Sequence, residues 1–281
     1  MKKKHLFTTL LLILPALMVW WPLWEMLSCA FMSKGEIMRT MSAVLSGGGG
    51  YAHLPLLPQE PSLANIVELL FDSPEFFVMF WNTVIMVLPQ LIGQFFIGAP
   101  AAWALSRFRF KGRGALFGLY IVLMLLPFGV TMVPSYIVLD KLHLLDSIWA
   151  IILPGIFSAF PVFIMAKGFD AVPYALLEAA EIDGASRLKS FLRIGIPLGV
   201  PGILSAMVLG FLEAWNMLEQ PMIFLKNKAI WPLSLYLPYV SAQSLGSAMA
   251  ACLIMLMPAV LIFLFGQKYL ELGIQSAGLK E

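Results

Sequence analysis

Six stretches of this chain are apolar for long enough to cross a bilayer, and nothing else in the sequence constrains its fold as strongly. They are Leu6 to Leu27, Phe76 to Ser106, Ala115 to Leu139, Ile148 to Ala166, Pro197 to Leu218, and Ser247 to Leu270. About 20 residues of helix cover the roughly 30 Å hydrocarbon layer. Inside that layer each backbone N–H and C=O must find its partner within the protein, so such runs fold as helices. The expected architecture is therefore all-α, a polytopic membrane protein with six transmembrane helices. The second run is long enough to tilt or to protrude. Pro89, Pro100, Pro127, Pro134 and Pro258 fall inside runs, where neighbouring helices satisfy the freed carbonyls and kinks are expected.

Composition matters here for what it excludes. With 60% hydrophobic residues and a mean hydropathy of +0.87, the chain lies outside the range of water-soluble domains. A net charge of +2 gives no reason to expect nucleic acid as a partner. Cys29 and Cys252 sit in or beside separate runs and read as packing residues. His5, His53 and His143 lie outside the runs, and no nucleophile–base pair or metal-ligand cluster is visible, which argues against an intramembrane enzyme.

The first run follows Lys2, Lys3 and Lys4, as a signal peptide would, but its apolar stretch is too long. Ser28 and Cys29 suggest a lipoprotein cleavage site only superficially, because Met26 and Leu27 before them are bulky. A retained first helix is the expectation. Lysine and arginine then set the orientation. With the amino terminus in the cytoplasm, 13 of the 18 basic residues fall on the inner side, among them Arg107, Arg109, Lys111, Arg113, Lys167, Arg187, Lys189 and Arg193. Both termini are expected to be cytoplasmic. Residues 1–281 read as one membrane domain: 1–75 the first span and an irregular extracytoplasmic loop containing SGGGG, 76–270 the core spans, and 271–281 a cytoplasmic tail.

Between the fourth and fifth runs lies EAAEIDGASRLKSFLRIGIP, Glu178 to Pro197, with six charged residues among twenty in a chain whose charged fraction is 12%. Pro173 suits the first turn of a helix, and Glu178 and Glu181, three apart, share a face. Asp183-Gly184 stops that helix. Ser186 caps a second one carrying Arg187, Lys189 and Arg193. Ala175, Ala179, Ala180, Gly184 and Ala185 keep one side small enough for close approach. By composition alone the segment could also be an amphipathic hairpin on lipid headgroups.

The spacing carries more. Glu178-Ala179-Ala180, three residues, Gly184, nine residues, Ile194, one residue, then Ile196-Pro197 resembles the EAA loop of bacterial ABC importer permeases, with Ile196 where the pattern has leucine. PYALLEAAEIDGASRLKSFLRIGIPLGVPGI, together with SRFRFKGR, AWN and FGQKYLELGIQSAGLKE, is similar to the maltose-type carbohydrate-importer permeases from about Asn82 onward. The resemblance implies a subunit of the bacterial cytoplasmic membrane that forms half of a translocation pathway with a second, homologous permease. It implies two ATP-binding cassette subunits below and a solute-binding protein outside. Glu178, Ala179, Ala180, Asp183 and Gly184 are carried over to the ATPase contact, and Gly278, Leu279 and Lys280 to a second contact made by the tail. No G-x-x-x-x-G-K-[ST] occurs in the chain, so no cofactor is expected on it, and ATP and Mg are expected on the ATPase partners.

Polar residues at membrane depth are candidates for the substrate pathway. These are Asn82, Gln90 and Gln94 in the second run, and Glu213, Trp215, Asn216 and Glu219 toward the outer half of the fifth. Amides, carboxylates and an indole are the groups that bind sugar hydroxyls and C–H faces, although polar residues also hydrogen-bond neighbouring helices. Met217 stands where the resembling permeases have a polar residue after Trp-Asn, and in maltose-type pairs the substrate can lie mainly on the other permease. The alternative class, an ion-coupled secondary transporter of a small solute, calls for inverted repeats and intramembrane carboxylates, whereas no repeat is visible and only Glu213 lies well inside a run.

Overall fold

The computed structural model describes residues 2–45, 51, 55–236 and 244–278. Among them every regular element is helical, and the one pairing of extended backbone is an isolated bridge between Met32 and Pro61. Five helices are long and apolar enough to span a membrane: Leu11–Ala30, Pro74–Arg107, Trp149–Asp170, Arg187–Trp215 and Leu245–Leu272. The sixth region is a broken one. Its halves, Arg113–Leu125 and Phe128–Lys141, meet at 103°. Pro127 is the cause, since it offers no N–H and drives Leu126 into an extended conformation (φ −68°, ψ 124°).

Two other spans carry π turns, Gln94–Gly98 and Phe191–Gly195, each just ahead of a proline, Pro100 and Pro197. A wider turn makes room for the ring against the carbonyl four residues back. Through the second of these turns the surface segment from Arg187 runs into the fifth span without a break. That span ends at Trp215, sooner than the apolar run does, because Asn216 caps it: its backbone N–H and its side-chain amide both donate to Leu212 O, at 3.3 and 2.8 Å. Glu219 therefore opens a separate short helix, Glu219–Phe224.

The chain divides into two compact units, residues 1–78 with 236–258 and residues 79–235 with 259–281. In the first, the segment after the first span is more ordered than the irregular loop that its composition suggests. A helix, Lys34–Leu45, starts where Ser33 Oγ accepts from the Glu36 N–H (3.1 Å). The buried Glu36 carboxylate accepts from the N–H groups of Gln59 and Glu60, at 2.8 and 3.0 Å, which pins the returning chain. Asn65, also buried, donates to Ala30 O and Met32 O. The SGGGG stretch lies outside the described residues.

In the second unit the core is where the second, fourth and fifth spans meet. Trp103, Phe169 and Phe191 pack ring against ring, with Ala99, Ala102, Met165, Ala166, Ile203 and Ala206 around them. Phe169 sits against Gly199 and Trp103 against Gly195, where the missing side chains leave room. Ser205 Oγ donates to Tyr269 O (2.7 Å), tying the fifth span to the sixth.

Candidate functional site

The polar segment between the fourth and fifth spans folds as a helix, a tight turn and a second helix. Pro173 (φ −63°, ψ 132°) stands at the N-cap of Tyr174–Ile182. At the other end the Ala185 N–H bonds Ala180 O (2.8 Å) and the Gly184 N–H bonds Glu181 O (3.0 Å), the paired closure of a Schellman motif. Gly184 takes the left-handed conformation that this closure needs, φ +75°. Ser186 Oγ then accepts from the Lys189 N–H (3.3 Å) and starts the helix that continues into the fifth span.

No residue of Tyr174–Ile182 is buried. Glu178, Ala179, Asp183 and Gly184 are exposed, and Ala180 is half-buried. Ile182 and Leu188, at the two shoulders of the turn, are 87% and 66% exposed. The sequence reading passed over both. Their signal was an isoleucine and a leucine standing among charged residues.

Beneath this knob lies a cavity of about 450 Å³ lined by Trp103, Arg107, Tyr174, Glu178, Glu181 and Arg187, with other residues of the same segments. The basic cluster after the second span, read from the sequence as an orienting signal, has further work. Arg107 is buried, donating from Nη2 to Phe169 O and Val172 O, and its guanidinium lies 4.6 Å from the Tyr174 ring centre. Arg113 donates to Leu105 O (2.6 Å) and Ser106 O (3.0 Å), closing the end of the second span. Arg109 and Lys111 stay exposed.

The pathway candidates separate into two groups. Asn82 donates to Ala229 O and Trp231 O (2.8 and 3.0 Å). Gln94 is buried and donates to Gly155 O (2.8 Å), and Gln90 is buried against Gly155, where a Cβ would come within 2.2 Å of its amide carbon. Trp215 is buried, stacked on Phe211 and edge-on to Phe80. Glu213, Asn216 and Glu219 are exposed. Of the tail residues, Gly278 ends the last helix, and Leu279 and Lys280 lie outside the described residues.

The sequence profile of the family described as "Binding-protein-dependent transport system inner membrane component" matches residues 94–276. The chain belongs to that family. The match spans the helix-turn-helix, its cavity and all the spans from the middle of the second onward. This family member is thus a multi-pass component of the bacterial inner membrane, and the family is one of transport-system subunits rather than enzymes. It is 30% identical over 233 residues to the "Arabinooligosaccharides transport system permease protein AraQ" of Bacillus subtilis (strain 168), covering 81% of this chain and 82% of the relative. It is 28% identical to the "Sulfoquinovosyl glycerol transport system permease protein SmoH" of Agrobacterium fabrum, covering 79% and 80%. In fold it is similar to a chain of a bacterial ABC transporter involved in the import of the acidic polysaccharide alginate. The TM-score is 0.79 and the identity 22%, over 94% of this chain and 95% of the other. A chain of a bacterial alginate ABC transporter in complex with an alginate pentasaccharide-bound periplasmic protein matches with a TM-score of 0.63 and 18% identity, covering 94% and 93%.

Proposed function

We propose that this protein is one permease subunit of an ATP-driven importer for a sugar or oligosaccharide. It forms half of the translocation pathway beside a second, homologous permease. Two ATP-binding cassette subunits dock from the cytoplasm, and a solute-binding protein delivers substrate from outside. The carrying observation is the knob at Tyr174–Ser190, which is exposed, closed by Gly184 at positive φ, and fitted to the EAA spacing. A rigid helix with small residues on one side and exposed apolar shoulders is suited to a cleft in another protein. Glu178, Ala179, Ala180, Asp183 and Gly184 make that contact, with Ile182 and Leu188 supplying apolar area.

Both termini lie in the cytoplasm on this reading, as the lysine and arginine distribution requires. The tail residues Gly278, Leu279 and Lys280 make a second contact between the ATPase subunits. ATP and Mg²⁺ are held by those partners. The carbohydrate class is favoured by the arabinooligosaccharide and sulfoquinovosyl glycerol permeases among the relatives. Glu213, Asn216 and Glu219, left exposed by the fold, are the residues of this chain that face the sugar.

The test is co-expression with the partner permease, ATPase and binding protein, followed by reconstitution in vesicles. A complex of one copy of each permease with two ATPase subunits, importing a sugar only when ATP is supplied, is expected. Uptake that follows an ion gradient and ignores ATP would overturn the proposal.

A further inference from the structure

Building on the importer reading, we propose that Arg107 is a positioning residue that locks the second span to the ATPase-docking helix, so that movement of the knob reaches three spans instead of two. The fourth span leads to the docking helix through only Ala171, Val172 and Pro173, and the fifth continues from the far side of the turn. The second span has no such covalent link. It approaches through Arg107, its last helical residue.

One guanidinium joins all the parts involved. Nη2 donates to Phe169 O, in the last turn of the fourth span, and to Val172 O, in the linker. Its face lies 4.6 Å from the ring centre of Tyr174, the first residue of the docking helix, and 5.8 Å from that of Trp103, one turn back on its own span. The Phe169 carbonyl belongs to the negative end of the fourth span's helix, where a cation is favoured. The residue is buried, and no carboxylate pairs with it among the described residues. Two carbonyls and two ring faces therefore hold the charge in place. A planar guanidinium can bond two carbonyls and stack at once, which an ammonium cannot. Moving Tyr174 away from Phe169 would break either the hydrogen bonds or the stack unless Arg107 moved too. Arg107 in turn carries Trp103, which is wedged against Phe169 and Phe191.

The experiment places spin labels at the exposed Ile97 of the second span and Ile182 of the knob in the assembled complex and records their distance distribution. Arg107→Met, Arg107→Lys and Tyr174→Leu are compared with the parent. Sugar moved per ATP hydrolysed is measured on the same preparations. Arg107→Met should broaden the distribution and lower the coupling ratio by about two- to thirtyfold, the range of mutations that lie along a coupling route. Arg107→Lys should recover part of both, and Tyr174→Leu, which keeps the carbonyl bonds, should lie between. General destabilisation would lower the yield of complex without changing sugar moved per ATP. A distribution as narrow in Arg107→Met as in the parent overturns the proposal. If that variant does not assemble, parental width in both of the others overturns it. A parent complex that transports no sugar would strike the importer reading, and the distance distribution would still decide the role of Arg107.

Discussion

Gly168 of the fourth span and Gly202 of the fifth meet backbone to backbone: a Cβ on Gly168 would stand 2.5 Å from the Cα of Gly202, and a Cβ on Gly202 equally close to the Cα of Gly168. The contact lies next to Phe169, and so next to the carbonyl that Arg107 holds. Neither backbone can swing aside as the end of a side chain would, so the separation of the two spans is fixed at this contact. Gly168→Ala or Gly202→Ala should each cost about 1–3 kcal/mol, the ordinary penalty of overpacking, and valine more. Thermal unfolding of the purified protein should show the loss, whereas alanine at the exposed Lys111 should produce little.

The docking contact and the backbone strain at Gly184 are separable. With φ at +75°, an ordinary L-residue there pays roughly 1–2 kcal/mol, yet nothing in this chain lies within 4 Å of an added Cβ. Gly184→Val should lower thermal stability, while Gly184→Asn, which tolerates the left-handed region, should lower it less. Both put a side chain on the docking face and should weaken ATPase co-purification. Full association of the valine variant would count against the contact.

A pH dependence is expected in the segment after the first span. Lys34, 2.8 Å from Glu68, holds that carboxyl below its ordinary value, burial opposes the shift, and Ser247 adds to it. A carboxyl whose folded pKa is depressed stabilises the fold above its unfolded pKa, and that contribution is lost as the pH falls through the folded value. Protection of the Lys34–Leu45 amides, relative to their intrinsic exchange rates, should therefore fall as the pH drops through that depressed value. Glu68→Gln should reduce that dependence and leave the part due to Glu60, whose carboxyl Arg39 holds below its ordinary value.

Gln94 and Asn216 should respond differently to substitution. Gln94→Leu removes the hydrogen bond to Gly155 O and should cost about 0.6–1.7 kcal/mol, as interhelical bonds in membranes do, with the KM for sugar uptake unchanged. Asn216→Ala lies at an exposed helix end and should reduce uptake, with a stability loss of about 0.5–1.5 kcal/mol from the side-chain bond to Leu212 O. An altered KM in the Gln94 variant would return that residue to the pathway.

Deleting residues 275–281 should lower binding-protein-stimulated ATP hydrolysis in the reconstituted complex while the complex still assembles. Unchanged stimulation would make the tail an ordinary chain end.

Much of this protein is decided within short windows of sequence. Hydrocarbon thickness converts directly into run length, so the regions that span are legible, although their ends are set by caps and breaks such as Asn216 and Pro127. The knob is legible for a similar reason: Pro173, Gly184 and Ser186 each act on neighbours within five residues, through φ or a single hydrogen bond. Pro127 marked a kink, but the 103° between the halves depends on what each half packs against. Arg107 and Gln94 were beyond reach of such windows. As letters, Arg107 resembled its exposed neighbour Arg109, and Gln94 resembled a pathway residue. Their fates rest on carbonyls 62 and 61 residues away, those of Phe169 and Gly155. A charge or an amide at a helix end or at membrane depth takes whichever acceptor the folded chain brings to it, and that pairing exists only once the spans have packed.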